Sequence, residues 1–390
     1  MRKRKQIILL TFLIIFILSG CGKMQATVSV KDNLNFRVYD KIKFSDLIDI
    51  NDGFIVDDKE IFLDNIGNNS VNIGYQDYKK HKSNIKVEFN VYDDTAPFLS
   101  MSNNVYKVVN NDFNLCDSAF YGDNYDRNVA CQIDGDYDKD TVGAYKLNMI
   151  VRDASGNESN KEFTLHIIKE FTNNTGENST PTGLNIGDAI KKYKNDETMI
   201  GIDVSSFQGQ IDWEKVKNSG VEFAIIRLGF GYTVNMELVL DKYFKENLNS
   251  AKEQGLKVGV YFYTYANTLE EIREQAKFIS DSLDGEDLDL GVTFDWENWN
   301  NFQDYQVSFY DLNNMYDNFS SILKNKGYDT MLYGSKFYLN NVWSTSNRKI
   351  WLAHYTSMTN YDKDYKLWQF TDKGIVDGIN GFVDLDVLYK

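Results

Sequence analysis

Gly291-Val292-Thr293-Phe294-Asp295-Trp296-Glu297-Asn298 sets an apolar run against two carboxylates separated by a single tryptophan. The residues before Asp295 suit a strand, in which side chains alternate faces with period 2. Asp295 and Glu297 are therefore expected on one face, with α-carbons roughly 6.5–7 Å apart at about 3.3 Å rise per residue. Two acids on one face at a strand end suit glycoside hydrolysis: one carboxyl protonates the leaving oxygen, and the other supports the developing positive charge. A solvated acidic turn after a strand is the plain alternative, so the surrounding pattern has to decide.

Around this stretch, from Met199 onward, short apolar strands alternate with helical stretches. Strand patterns occupy Ile200 to Val204, Phe223 to Gly229, Val258 to Tyr263, Leu290 to Asp295 and Thr330 to Gly334. Between them, helices are expected over Trp213 to Ser219, Asp241 to Gln254, Leu269 to Leu283 and Gln306 to Lys326, with Gly220, Gly255 and Gly327 as C-terminal stops. Lys349 to Tyr355, Tyr365 to Phe370 and Val383 to Val387 follow without an intervening long helix. Alternating strand and helix implies a parallel sheet with right-handed crossovers, here a barrel of about eight strands that finishes in plain β. Active sites of such barrels sit at the C-terminal ends of the strands. Asp203, the Asp295–Glu297 pair and Asp384 fall at or near such ends, so three strands deliver acids to one rim.

The rest of the 390-residue chain reads differently. A hydrophobic content of 42% and an aromatic content of 14% exclude a disordered chain. The net charge of −15 argues against a nucleic-acid partner. Residues 1–20 carry a basic start, Arg2 to Lys5, and an apolar run, Ile7 to Leu18, the pattern of a secretory signal. Leu18-Ser19-Gly20-Cys21 resembles the lipobox of bacterial lipoproteins, which implies cleavage before Cys21, a lipid on its sulfur and anchorage at the outer face of the cell membrane. Residues 21–96 and 97–169 alternate apolar and polar positions in short runs and read as two small all-β modules. In the second, Tyr145 to Val151 and Lys161 to Ile168 form a hairpin closed by Asp153-Ala154-Ser155-Gly156-Asn157. This turn and the Asp93-Asp94-Thr95-Ala96-Pro97 junction resemble bacterial immunoglobulin-like modules of cell-surface proteins. Cys116 and Cys131 are either a disulfide or two buried thiols. Asp134, Asp136, Asp138 and Asp140 lack the glycine and glutamate of a calcium loop, since Lys139 and Tyr145 occupy those places, and read as a solvated acidic loop. The polar stretch 170–198 reads as a linker, with a short helix over Asp188 to Lys194.

Gly201-Ile202-Asp203-Val204-Ser205-Ser206-Phe207-Gln208-Gly209 with Ile211-Asp212-Trp213 resembles the opening of glycoside hydrolase family 25, the Chalaropsis-type lysozymes. Phe223 to Gly229, Val258 to Ala266, Phe294 to Glu297, Trp351 to Tyr355, Trp368 to Phe370 and Val383 to Val387 follow in the order of its later segments. The resemblance covers residues 199–390. It implies a (β/α)5β3 barrel that hydrolyses the β-1,4 bond between N-acetylmuramic acid and N-acetylglucosamine in peptidoglycan. Position by position it makes Glu297 the general acid, Asp295 its partner carboxylate, and Asp203 and Asp384 two further rim acids. Asp386 stands where the family often has asparagine, and Phe262 where it commonly has histidine.

A general acid needs its pKa raised by burial or by neighbouring negative charge, which Asp203, Asp295 and Asp384 would supply to Glu297. Asp295 is left as base, as nucleophile, or as the group orienting the substrate's own acetamido carbonyl. Aromatic faces stack on sugar rings, and Tyr263, Tyr333 and Trp368 are the chosen candidates to line a glycan groove. Arg227, inside an apolar strand, is expected to be a paired core arginine holding an acid. His354 is the barrel half's only histidine and no cysteine joins it, so neither a metal nor any other cofactor is expected. The rival to an enzyme is a non-catalytic wall-binding or adhesion lipoprotein.

Overall fold

The strands after residue 197 close into an eight-stranded barrel. In the computed structural model, which describes residues 23–171, 182–231 and 237–390, its strands are β1 (Thr198–Val204), β2 (Phe223–Gly231), β3 (Lys257–Tyr263), β4 (Val292–Asp295), β5 (Thr330–Ser335), β6 (Ile350–Ala353), β7 (Leu367–Ile375) and β8 (Val383–Tyr389). Neighbours from β1 to β7 pair in parallel. β8 closes the ring antiparallel to both β7 and β1. Five helices link β1 to β6 in turn: α1 (Trp213–Asn218), α2 (Phe244–Glu253), α3 (Leu269–Leu283), α4 (Phe309–Asn325) and the short α5 (Lys336–Asn341).

Local chemistry explains the elements next to the site. Thr268 accepts a hydrogen bond from the Glu271 amide at the start of α3, and Ile272, Ala276, Ile279 and Leu283 form its buried stripe. Ser308 and Asp311 cap α4 reciprocally, so that helix starts at Phe309 rather than at Gln306 as expected. Before β4, Gly291 has φ of +69°, and a Cβ there would lie 2.3 Å from the Asp329 carbonyl oxygen. Only glycine makes that turn into the strand. Inside the barrel Phe223, Ile225, Met331, Tyr333, Trp351, Leu367 and Leu388 form a plug. Outside it, Ile226, Val258, Phe294 and Phe319 belong to the layer between strands and helices.

The stretch expected to be a linker is partly barrel. Leu184–Asn185 pairs with β7, and Ile186–Tyr193 is a helix capped by Asn185, with Ile186 and Ala189 buried. The polar residues ahead of it obscure an apolar helical face; 172–181 lie outside the described residues.

The described residues fall into two compact units divided between Asp94 and Thr95. In the first, the central sheet contains Asn35–Arg37, Lys82–Tyr92, Gly67–Asp77 and Gly53–Ile55 around Leu47, Ile73, Val87 and Val91. The second module belongs to the same unit as the barrel. Its hairpin is Gly143–Arg152 with Glu158–Ile168. Asp153 closes it by accepting from both the backbone and side-chain nitrogens of Asn157. A second, two-stranded sheet pairs Phe98–Met101 with Ala119–Gly122. Cys116 and Cys131 are joined by a disulfide with α-carbons 6.2 Å apart. Cys21 and the signal sequence lie outside the described residues.

Candidate active site

β4 ends at Asp295, and its side chains alternate as the sequence demands. Phe294 points outward onto Tyr316, Phe319 and Trp343. Trp296 is fully buried among Trp299, Phe302 and Tyr305, with its indole N–H donating to the Ala266 carbonyl at 3.1 Å. Between and beyond these, Asp295 and Glu297 meet side chain to side chain. Two carboxyl groups hydrogen-bond to each other only when one carries a proton, so each side chain's charge bears on the other's. Burial first, then the charge of Glu297, pushes Asp295 well above the usual carboxylate range, while Arg227 pulls the other way. Burial also raises Glu297, while its hydrogen bond with Asp295 pulls it back down. Asp295 is buried and Glu297 is partly open, so Glu297 is the member of the pair that an incoming sugar oxygen reaches.

A second group of acids gathers on β1 and β8. Asp203 lies opposite Asp384 in the antiparallel pairing, and Asp386 lies opposite Gly201. All three share a face. Asp384 sits at the beginning of β8, not at a C-terminal end. It reaches the same rim because β8 runs backwards. Burial, then the charges of Asp384 and Asp386, pushes Asp203 well up. Asp386 is fully buried, and it accepts the Trp351 indole N–H at 2.8 Å and meets the Asp203 carboxyl. Burial, Asp372 and Glu297 push Asp384 up to about 7. That displacement disfavours its charged form by roughly 4 kcal/mol at 1.36 kcal/mol per pH unit.

Gln369 on β7 organises this side. Its Nε2 donates to Asp203 Oδ2 at 2.7 Å, and its Oε1 accepts from the Tyr333 and Tyr355 hydroxyls, each at 3.0 Å. The amide thereby fixes one carboxylate and two phenols together. Its only trace in the sequence is a polar residue inside the apolar run Leu367-Trp368-Gln369-Phe370.

The comparisons with known proteins can be set against this geometry. Residues 202–379 match the model of the glycosyl hydrolases family 25. The uncharacterized protein YegX of Escherichia coli O157:H7 is 30% identical over 200 residues, which span 49% of this chain and 69% of YegX. The chain belongs to glycosyl hydrolase family 25. Another relative, the autolytic lysozyme of Clostridium acetobutylicum, is 34% identical over 191 residues, or 48% of this chain. The chain spans 55% of that relative's length. Among solved structures, a family 25 glycosyl hydrolase from Bacillus anthracis is 22% identical, with a TM-score of 0.44, covering 51% of this chain and 92% of the other.

Within this family 25 barrel, the four acids singled out from sequence, Asp203, Asp295, Glu297 and Asp384, stand at one mouth. Of the three aromatic candidates, Tyr263 is part-buried beside Asp295 and Glu297, which with burial hold its hydroxyl in the protonated form, and its ring meets Tyr265 edge-on at 5.0 Å. Tyr333 is buried and held by Gln369. Trp368 does not offer a face to a sugar: it is 3% exposed, packs against Tyr193 and Phe370, and donates its N–H to the His354 carbonyl. Strand alternation sends it outward to the helix Ile186–Tyr193. Arg227 pairs with buried Asp241 at 2.7 Å and also donates to the Ser206 hydroxyl, so it ties the loop after β1 to the start of α2 and holds no rim acid.

Asp134, Asp136, Asp138 and Asp140 are exposed, and Asp138 caps its own turn through Asp140 and Thr141. Elsewhere in the second module, carboxylate oxygens of Asp123, Asp126 and Asp153 lie within 4.8 Å of one another. Asp123 accepts from the Tyr125 and Asp126 amides and Asp126 from the Ala154 amide, which cross-links two turns.

Proposed function

We propose that the chain is an exported, lipid-anchored N-acetylmuramidase that cleaves the β-1,4 bond between N-acetylmuramic acid and N-acetylglucosamine in peptidoglycan. The observation that carries this reading is the contact of the buried Asp295 carboxyl with the more open Glu297, in a family 25 barrel whose mouth also holds Asp203 and Asp384. The relative named as an autolytic lysozyme supports it. Glu297 delivers its proton to the bridging oxygen as the bond from the anomeric carbon breaks. Asp295, left charged, steadies the acetamido group whose carbonyl oxygen closes on the anomeric carbon, and water then opens that ring. Tyr263, a partly open aromatic beside both acids, borders the sugar. The barrel is read as (β/α)5β3, the two β modules as immunoglobulin-like, and Cys21 as the lipidated anchor from which the enzyme reaches the wall.

Digestion of purified peptidoglycan, followed by identification of the new reducing ends, tests the activity. Muramic acid ends are expected. Glucosamine ends would assign a different glycosidase, and no release would leave a wall-binding lipoprotein. Retention at the anomeric carbon, followed by NMR, is the expected stereochemistry; clean inversion would remove the acetamido step. Metabolic labelling with a fatty acid analogue should mark the wild-type chain and not Cys21→Ala.

A further inference from the structure

The second β module does more than separate the barrel from its surroundings. Its two-stranded sheet, Phe98–Met101 with Ala119–Gly122, rests on the helical turns Trp299–Tyr305, which begin two residues after Glu297. Phe120 is the centre of the contact. Its ring lies 5.1 Å from Tyr338, 5.5 Å from Phe302, 5.9 Å from Trp299 and 6.2 Å from Phe309. Trp299 in turn stacks on Tyr338 at 3.8 Å and meets Trp296 at 4.7 Å. A packed path of three rings thus leads from Phe120 through Trp299 to Trp296, the residue between the two catalytic acids.

Polar contacts fix the same seam. The Gln303 amide donates to the Tyr121 carbonyl at 2.6 Å, the Phe309 amide donates to the Asp123 carbonyl at 2.7 Å, and Arg127 forms a two-pronged pair with Asp311. The strands approach so closely that a Cβ on Gly122 would fall 2.6 Å from the Phe309 ring and 2.8 Å from the Phe302 ring. A mere spacer needs no such fit. Trp299–Tyr305 is a run of 3-10 turns, with the Asn298 side chain donating to the Tyr305 hydroxyl across it. Such turns have poorer hydrogen-bond geometry than an α-helix, so their shape depends on what packs against them.

We propose that the second β module is a working part of the catalytic unit, with Phe120 as a positioning residue that holds the 299–305 turns and through them the backbone carrying Glu297. The inference rests on the hydrolase reading above. A displacement of about 1 Å in a reacting group lowers turnover by roughly a hundredfold. Removing a ring from a packed seam leaves a cavity that neighbouring groups partly relax into, which lets the turns shift.

The test uses the full chain on solubilised glycan strands. Wild-type activity alone bears on the hydrolase reading; the comparison of variants bears on this inference. Phe120→Ala is expected to lower kcat roughly ten- to a hundredfold with KM within about twofold, and Phe120→Leu to restore most of it. The basic limb of the kcat–pH profile should also move to lower pH, because water entering behind Trp299 weakens the burial that raises Glu297. Tyr78→Ala, in the first unit, should leave both unchanged. A folded Phe120→Ala protein with wild-type kcat and an unmoved basic limb would overturn the proposal. Should that variant not fold, Gln303→Ala removes one hydrogen bond from the same seam; unchanged kcat and pH profile there would overturn it equally.

Discussion

Two carboxyl pairs stand inside the barrel, and they are built in opposite ways. Asp295 and Glu297 belong to one strand end, and their meeting follows from period 2 alone. Asp203 and Asp386 are 183 positions apart in the chain and meet because β8 runs antiparallel to β1. The first pair is asymmetric: one acid is buried, the other is open to the groove. The second is closed, with Asp203 and Asp386 both buried and held by Gln369 and Trp351. Burial raises both pairs above the usual carboxylate range, yet only the asymmetric pair can hand its proton to a ligand. Equal charge with unequal access separates chemistry from support.

That contrast can be broken at its strongest point first. Glu297→Gln should lower kcat by roughly 10²–10⁴-fold, the usual contribution of a positioned acid, with thermal stability retained; activity near wild type in a folded sample would reverse the roles assigned to the two pairs. Asp295→Asn should follow with a loss of about 10²–10³-fold, as for other groups that stabilise developing charge; turnover near wild type in a folded sample would remove Asp295 from the chemistry.

Gln369→Leu sharpens the supporting side. It removes the donor to Asp203 and the acceptor of two tyrosine hydroxyls, and hydrogen bonds to charged groups are worth about 1.5–3 kcal/mol each. A roughly tenfold loss in kcat/KM is expected from loosening Asp203 alone, at the low end of that range. An unaltered kcat/KM would show that the second pair has no part in the site.

Asp386→Asn should have the smallest effect on turnover, within a few-fold, and a distinct effect on stability. Asp203, Asp384 and Asp386 have folded pKa values above their unfolded ones, so the stability they contribute is whole below about pH 4 and is lost as the pH rises through the raised values. For Asp384 that window closes at about pH 7. An asparagine at 386 keeps the acceptor for Trp351 and supplies a donor to Asp203 without a proton. The fall in Tm between pH 5 and pH 8 should therefore be shallower in the variant, as thermal melts at several pH values would record; a steeper fall would contradict the raised position of Asp386.

The two β modules teach a related lesson. Both have the same alternating texture, and nothing in the second module's sequence shows that it packs into one unit with the barrel. Phe120 and Gly122 look like ordinary strand residues; only the surface of Trp299, Phe302 and Phe309 opposite them gives them a role. Trp368 shows the reverse error, since an aromatic beside a strand end is drawn into the groove by residue type and sent to the helix side by alternation. The helix Ile186–Tyr193 was legible, but its membership in the barrel was not, because the polar stretch before it sets the local composition.

The sequence by itself determined the strand and helix succession, the common face of Asp295 and Glu297, and the family. These rest on short-range periodicity and on motifs in order, both of which survive without coordinates. The tertiary structure alone decided that β8 runs backwards, so that Asp384 reaches the rim from the start of its strand and Asp386 meets Asp203, that Gln369 joins Asp203 to two tyrosines, and that the second module packs behind the catalytic loop. Each depends on contacts between residues far apart in the chain, where burial and neighbouring charge, not residue type, determine what a side chain can do.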